Sequence, residues 1–167
     1  MEPTAERPFM PDYGVPTDLD GVLPWSWAEE RLVRNKNYWL VTASAGGRPH
    51  SLPVWGIWRC EQGDFVFSCG PRSRKARNID ENPQACVTID DTVECVSVEG
   101  QATELTDPAE RSAAIDAYVT KYAEPDGRDQ MAGFVGAHRM IVLRPERAFA
   151  VIEREEDFSA RATRWTW

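Results

Sequence analysis

Ser68-Cys69-Gly70-Pro71-Arg72-Ser73-Arg74-Lys75-Ala76-Arg77-Asn78-Ile79-Asp80-Glu81-Asn82-Pro83 joins an apolar strand (Phe65, Val66, Phe67) to a basic helix, and the reading of this junction organises the rest of the chain. Ser73 stands as the N-cap, and the helix runs from Arg74 to about Glu81, stopping before Pro83. Arg72, Arg74, Lys75 and Arg77 crowd basic charge around its start, in a protein whose formal net charge is −8. The free N–H groups and the macrodipole of a helix start attract anions, and cations in the first turn oppose that dipole. A bound anion, most simply a phosphate, removes the conflict. A solvated arginine-rich turn is the other reading, and composition leaves the two open.

Outward from the junction the chain is rich in strands with hairpin spacing. Upstream, Tyr38 to Ser44 reads as a strand, Gly46-Gly47 as a hairpin turn, and Arg48 to Trp58 as the returning strand. Pro49 and Pro53 make that strand an edge or a bulged one, and Gly56 marks a bulge or a close backbone approach. Gly63-Asp64 turns into the strand Phe65 to Cys69. Downstream, Ala85 to Ile89 and Glu94 to Leu105 are two further strands, with Asp90, Asp91 and Thr92 turning between them. Asp107-Pro108-Ala109-Glu110 combines an N-cap, an N1 proline and an N3 glutamate. Ile115, Tyr118, Val119 and Tyr122 then fall on one helical stripe that reads as core packing. Glu124 to Gly136 reads as a polar, glycine-bearing loop. Arg139 to Leu143 and Arg147 to Ile152 read as strands broken at Pro145, and Phe158 to Trp167 as a last short strand.

Ser26 to Glu29 has the form of a capping box, starting a short helix to about Asn35. Residues 1–23 carry several prolines and little periodicity, which predicts an extended tail laid over a partner subunit. Residues 24–167 read as one domain. The strands do not alternate regularly with helices, so the expected fold is mainly β (α+β): a six- to seven-stranded antiparallel β-barrel with flanking helices.

Composition excludes several classes of function. An acidic chain lacks the basic face that nucleic acid or an anionic membrane surface requires. No apolar run spans a bilayer, and the acidic, proline-rich start is not a signal peptide, so the expected location is cytoplasmic. Cys60, Cys69, Cys86 and Cys95 are too widely spaced for a CxxC pair and read as reduced, buried thiols. The two histidines, His50 and His138, make a zinc or His-based catalytic cluster an unpromising reading, and no metal site is assigned. Lys36, Lys75 and Lys121 are the only lysines, so Lys75 stands out within the basic cluster. The seven tryptophans are core or interface anchors, with the further capacity to wall a flat aromatic ligand. No GxGxxG or GxxxxGK[ST] motif is present.

The order of segments resembles a known superfamily. Trp39-Leu40-Val41-Thr42, then Gly47-Arg48-Pro49-His50-Ser51-Leu52-Pro53-Val54-Trp55-Gly56, then the Ser-Arg-Lys-Ala helix ending at Asn82-Pro83, then Val98-Glu99-Gly100-Gln101-Ala102, resembles the pyridoxamine 5'-phosphate oxidase-like split β-barrel proteins. Within them, the Pro-Val-Trp-Gly run, the Ser-Arg-Lys-Ala-Arg-Asn run and the closing Ala162-Thr163-Arg164-Trp165 resemble the B group of flavin/deazaflavin oxidoreductases.

The resemblance implies a homodimer with its cofactor sites at the subunit interface. It implies that Ser73, Arg74 and Lys75 bind the cofactor phosphate. The strand carrying His50, Ser51, Pro53, Val54 and Trp55 would lie along the tricyclic ring, with Ser68 and Cys69 near its polar edge. Arg72 and Arg77 suit the acidic tail of coenzyme F-420, and Arg164 and Trp165 would approach the site, from the partner in one arrangement. The cofactor so implied is coenzyme F-420, with FMN as the alternative. The activity implied is hydride transfer to a conjugated small-molecule acceptor; an FMN-dependent oxidoreductase and a non-catalytic F-420 carrier are the alternatives. The cofactor carries the redox chemistry, so no catalytic side chain is assigned. The second barrel strand offers Pro53, Val54, Trp55 and Gly56 where the oxidase proper carries basic residues, which argues against pyridoxine chemistry.

Overall fold

A computed structural model describes residues 2–167. Nine strands form one antiparallel sheet whose path runs through a bend and a branch. The strands are β1 (Thr4–Glu6), β2 (Tyr38–Ala43), β3 (Pro49–Val54), β4 (Gly56–Arg59), β5 (Asp64–Cys69), β6 (Gln84–Ile89), β7 (Glu94–Glu104), β8 (Arg139–Ile152) and β9 (Thr163–Thr166). The helices are α1 (Trp25–Arg34), α2 (Arg74–Glu81), α3 (Pro108–Tyr122), α4 (Arg128–Gly136) and α5 (Glu155–Arg161). Pairing follows β3–β2–β6–β7–β8 on one side and β4–β5–β8 on the other. The ring closes covalently, because β3 becomes β4 through a bend at Trp55. This is the antiparallel barrel expected from the hairpin spacing and the split barrel the resemblance implied, but with nine strands among the described residues rather than six or seven: the returning strand 48–58 is cut in two at that bend, and the N-terminal segment adds β1.

Three features build the barrel. Gly46-Gly47 turns β2 into β3, and Gly47 sits at φ 78°, where a side chain would be strained. Pro145 does not break β8, as the sequence suggested. A bulge between Glu99 and Gly100 absorbs it, and β8 runs on as one strand of 14 residues. Gly100 is required there: a Cβ would stand 1.9 Å from the Arg144 carbonyl oxygen. Inside, Tyr38, Leu40, Phe65, Phe67, Val87, Ile141 and Leu143 are buried in one core. A second apolar layer lies between the sheet and α3–α4, where Val66, Met140 and Val142 meet Tyr118 and Val135.

Four local readings are corrected. Ser26 is not an N-cap: Pro24 precedes the helix in extended backbone, and Glu29, the expected box acid, instead accepts the Trp58 indole N–H at 2.9 Å. Residues 128–136 are helical rather than a loop, because Met131 and Val135 pack on the second apolar layer. The segment 158–167 holds the end of α5 before β9 begins. Cys60 is exposed, whereas Cys69 is buried and Cys86 and Cys95 are half-buried; burial raises all four thiols above their ordinary value. The N-terminal tail also carries structure: β1 pairs with β9, and the Arg7 guanidinium donates to the carbonyls of Asp18 and Ala162 at 2.8 and 2.9 Å. Among the described residues no helix is long and apolar enough to cross a membrane.

Candidate functional site

The basic helix is seated firmly at the mouth of the barrel. The Ser73 hydroxyl accepts from the Ala76 amide at 3.3 Å, the capping contact its position demands. Ala76 and Ile79 are buried in the core, and the buried Asn78 amide donates to the Thr42 hydroxyl of β2 at 2.9 Å. On the far side Arg139 pairs with Asp80 at 2.8 Å and with Glu104 at 2.9 Å. These contacts hold α2 while its first turn carries no acidic residue. Arg72, Arg74 and Lys75 make no ion pair among the described residues. The positive end of the dipole and these uncompensated cations point to an anion.

Beside this helix start lies a cleft of about 220 Å³. Lys75 stands on one side, Pro53, Val54 and Trp55 of the bent strand form a wall, and Ser68 is half-buried at the end of β5. Trp55 is half exposed and stacks on Tyr122, with ring centroids 4.9 Å apart and planes 7° from parallel. Tyr118 of α3, whose hydroxyl donates to the Trp55 carbonyl, and Met131, Phe134 and Val135 of α4 complete the lining, leaving Phe134 exposed. A cation at one end, an indole face along the strand and an apolar far wall suit a planar aromatic ligand that carries a phosphate.

The other expected residues divide around this cleft. His50 and Arg74 line a neighbouring depression of about 280 Å³, with Arg48 and Asn78. Burial, then the charges of Arg74 and Lys75, lower the His50 pKa and favour the neutral ring. Ser51 is exposed on β3, opposite Val41. Cys69 is buried beside the helix start; desolvation raises its pKa against the opposing pull of Ser73 and Lys75, so it is not an activated thiolate. Arg72 and Arg77 are exposed, and the Arg77 guanidinium donates to the Arg72 carbonyl at 2.9 Å.

Arg164 and Trp165 are not brought to the cleft of their own chain. Arg164 pairs with Glu6 of β1 at 2.9 Å. Trp165 is fully buried, edge-on to Trp25 at 5.4 Å, and its indole N–H is the one buried side-chain polar atom without a partner among the described residues.

Four lining residues were not among the expected set. Met131, Phe134 and Val135 fall at helical i, i+3, i+4 spacing, a signal that a loop reading of 124–136 passes over. Tyr118 sits on the apolar stripe of α3 and carried no signal separating it from core.

The comparisons with known proteins bear on the whole barrel. The pyridoxamine 5'-phosphate oxidase family profile matches residues 28–152, which include β2 to β8, α2, and the strand and helix residues around the cleft. No curated protein matches the chain. Among solved structures, a conserved hypothetical protein from Mycobacterium tuberculosis is similar at 16% identity and a TM-score of 0.70, over 83% of this chain and 91% of that one. The heme storage protein HutZ from Vibrio cholerae is similar at 20% identity and a TM-score of 0.61, over 77% and 94%. A pyridoxamine 5'-phosphate oxidase-related, FMN-binding protein from Nostoc punctiforme is similar at 18% identity and a TM-score of 0.56, over 78% and 85%. At these identities the structural likenesses establish the fold, and the profile match over most of the chain establishes the family: this protein belongs to the pyridoxamine 5'-phosphate oxidase family.

Proposed function

We propose that this protein is a coenzyme F-420-dependent reductase that passes hydride to a conjugated small-molecule acceptor. The observation that carries the reading is the meeting, in one cleft, of Lys75 from the Ser73-capped helix start, the half-exposed Trp55 and the apolar residues of α4. Lys75 and the first-turn amides would hold the cofactor phosphate, and Trp55 and Pro53 would lie along the ring. Ser68 would border its polar edge, while the buried Cys69 does not line the cleft. A reduced deazaflavin supplies a two-electron hydride when bound. The chain's own part is to bind and orient the ring and to exclude water.

The tail favours the deazaflavin over FMN. Its carboxylates would meet two groups of unpaired cations: the exposed Arg72 and Arg77, and Arg48 and Arg74 in the depression beside the His50 ring. FMN is the second reading, supported by the family and by the FMN-binding relative. A binder without turnover is the third, supported by the heme storage relative. Heme in this cleft is disfavoured by this chain's histidines. Neither lines the cleft, and His138 is engaged through Nδ1 with the Phe134 carbonyl at 2.6 Å.

The working unit in this proposal is a homodimer. The outer face of β2 and β6 carries Trp39, Val41, Ala43 and Cys86, of which Trp39 is half exposed, around a shallow depression. A second copy would cover that face and complete the open side of the cleft. Arg164, partly exposed, is available to a partner's site; Trp165, wholly buried in its own core, is not. The test is a pair of fluorescence titrations, coenzyme F-420 against FMN, followed by oxidation of the reduced cofactor in the presence of quinones and other conjugated acceptors. Tighter binding of F-420 with acceptor-dependent oxidation supports the reading. Tighter FMN binding replaces it, and binding without oxidation makes the protein a carrier.

A further inference from the structure

We infer that Tyr118, Lys121 and Tyr122 of α3 form a clamp that fixes the Trp55–Gly56 bend as the wall of the cleft, with Lys121 as a positioning residue. The inference rests on the cleft being the ligand site.

The bend needs a clamp because the sheet does not supply one. The β2–β3 register ends at Val54, opposite Tyr38, and the β4–β5 register begins at Gly56, opposite Phe67. Trp55 therefore belongs to neither ladder, and buried backbone groups left without partners are costly. Helix α3 provides the partners. Tyr118 donates its hydroxyl to the Trp55 carbonyl. The Tyr122 hydroxyl accepts the Gly56 amide at 2.9 Å, and Lys121 Nζ donates to the Gly56 carbonyl at 3.1 Å. These three residues lie at i, i+3, i+4 on one helix face. The Tyr122 ring also stacks beneath the Trp55 indole, so the side chain and backbone of the bend are held from the same helix. Gly56 permits the close approach: a Cβ there would fall 2.1 Å from the Phe65 ring.

Lys121 is the unusual member. Its second donor bond goes to the buried Tyr38 hydroxyl at 2.7 Å, and that hydroxyl reaches the carbonyl of Asn35 at 2.7 Å. The groups around it are Tyr38 from β2, Tyr118 and Tyr122 from its own helix, and Lys36 from the segment before β2. No carboxylate pairs with it among the described ion pairs; Asp90, the nearest acid felt in this cluster, acts on Tyr38. Burial, and secondarily the charge of Lys36, lower its pKa to about 8. The unfolded chain holds that proton more tightly, so the residue subtracts from stability below about pH 8 and the penalty fades as pH rises through that value. The Tyr38 and Tyr122 rings, 4.9 and 5.5 Å from Nζ, offset part of this cost. A buried lysine with no carboxylate partner, donating to the Gly56 carbonyl at the bend and to the Tyr38 hydroxyl, is placed to position the cleft wall.

The test compares the full chain with Lys121→Met, using thermal melting, hydrogen exchange at the Gly56 amide and FMN as the binding probe. The expected result is a melting midpoint equal to or above wild type, faster exchange at Gly56, and FMN affinity lower by about tenfold, the scale of one lost charge-assisted bond. Lys121→Gln, which keeps a donor without the charge, should fall between the two. Unchanged exchange at Gly56 overturns the inference, and so does a midpoint that falls in step with affinity, because Lys121 would then be an ordinary structural residue. Exchange is read without ligand, so failure of the wild type to bind FMN counts against the FMN reading alone, while the clamp is judged on Gly56.

Discussion

Replacing Lys75 by alanine tests the site assignment most directly. Lys75 lines the cleft at the first turn of α2, is half-buried, and makes no ion pair among the described residues. Its removal strands no acid and deletes no core contact, so stability should change little. A bound phosphate would lose one charge-assisted hydrogen bond, worth about 1.5–3 kcal/mol, or about ten- to a hundredfold in affinity. The loss should be partly masked at high salt, because the neighbouring exposed arginines act over about a Debye length, about 10 Å at 0.1 M salt. The assay is fluorescence titration with coenzyme F-420 and with FMN, at low and high salt, on wild type, Lys75→Ala and Lys36→Ala. Lys36 is exposed and outside the cleft, which makes it the control; Lys121 cannot serve, because it holds the cleft wall. Since Lys75 and Arg74 both depress the His50 pKa, the same substitution should raise it, a shift visible by NMR without any ligand. Equal affinity in wild type and Lys75→Ala, or an equal loss in Lys36→Ala, would refute the assignment of the anion site.

Three other outcomes are expected. In the dimer we propose, Trp39→Arg should leave a monomer in sedimentation and abolish cofactor binding, and a dimer that survives it moves the interface elsewhere. Gly100→Ala places a methyl against the Arg144 carbonyl at the β7–β8 bulge and should lower the unfolding free energy by about 1–3 kcal/mol or more in denaturant titration, while a neutral result would mean the bulge can relax. Stability should also fall in acid: Arg154 and Arg31 hold Glu94 below its ordinary carboxylate value of 4.5, so its contribution is present above that pH and lost as pH falls through the lowered value. Glu94→Gln should flatten that part of the acid limb in pH-dependent melting, and an unchanged limb would show that Glu94 does not contribute to it.

How much was readable in advance follows from the range of the forces involved. Gly47, Ser73 and the Asp107-Pro108-Ala109-Glu110 start act through turns and caps that span a few residues. The hairpins, α2 and α3 therefore stood in the sequence, and so did the conflict of Arg74 and Lys75 with their helix dipole, which the sequence alone left open between an anion site and a solvated turn. Alternation of apolar residues gave the strands, and their hairpin spacing gave the antiparallel barrel. Pro145 misled because its cost was judged locally, whereas Gly100 on the neighbouring strand accommodates it through a bulge. The cleft itself could not be read so. Tyr118 meets Trp55 across 63 residues, and the contacts of Lys121 and Tyr122 with Gly56 span 65 and 66. Met131 and Phe134 line the site because α4 packs over the sheet, and Trp165 leaves it because Trp25 draws the indole into the core. Local propensity fixes which segments are strands and helices. Which side chains share a cleft depends on burying distant apolar surfaces together, and those contacts exist only once the barrel has closed.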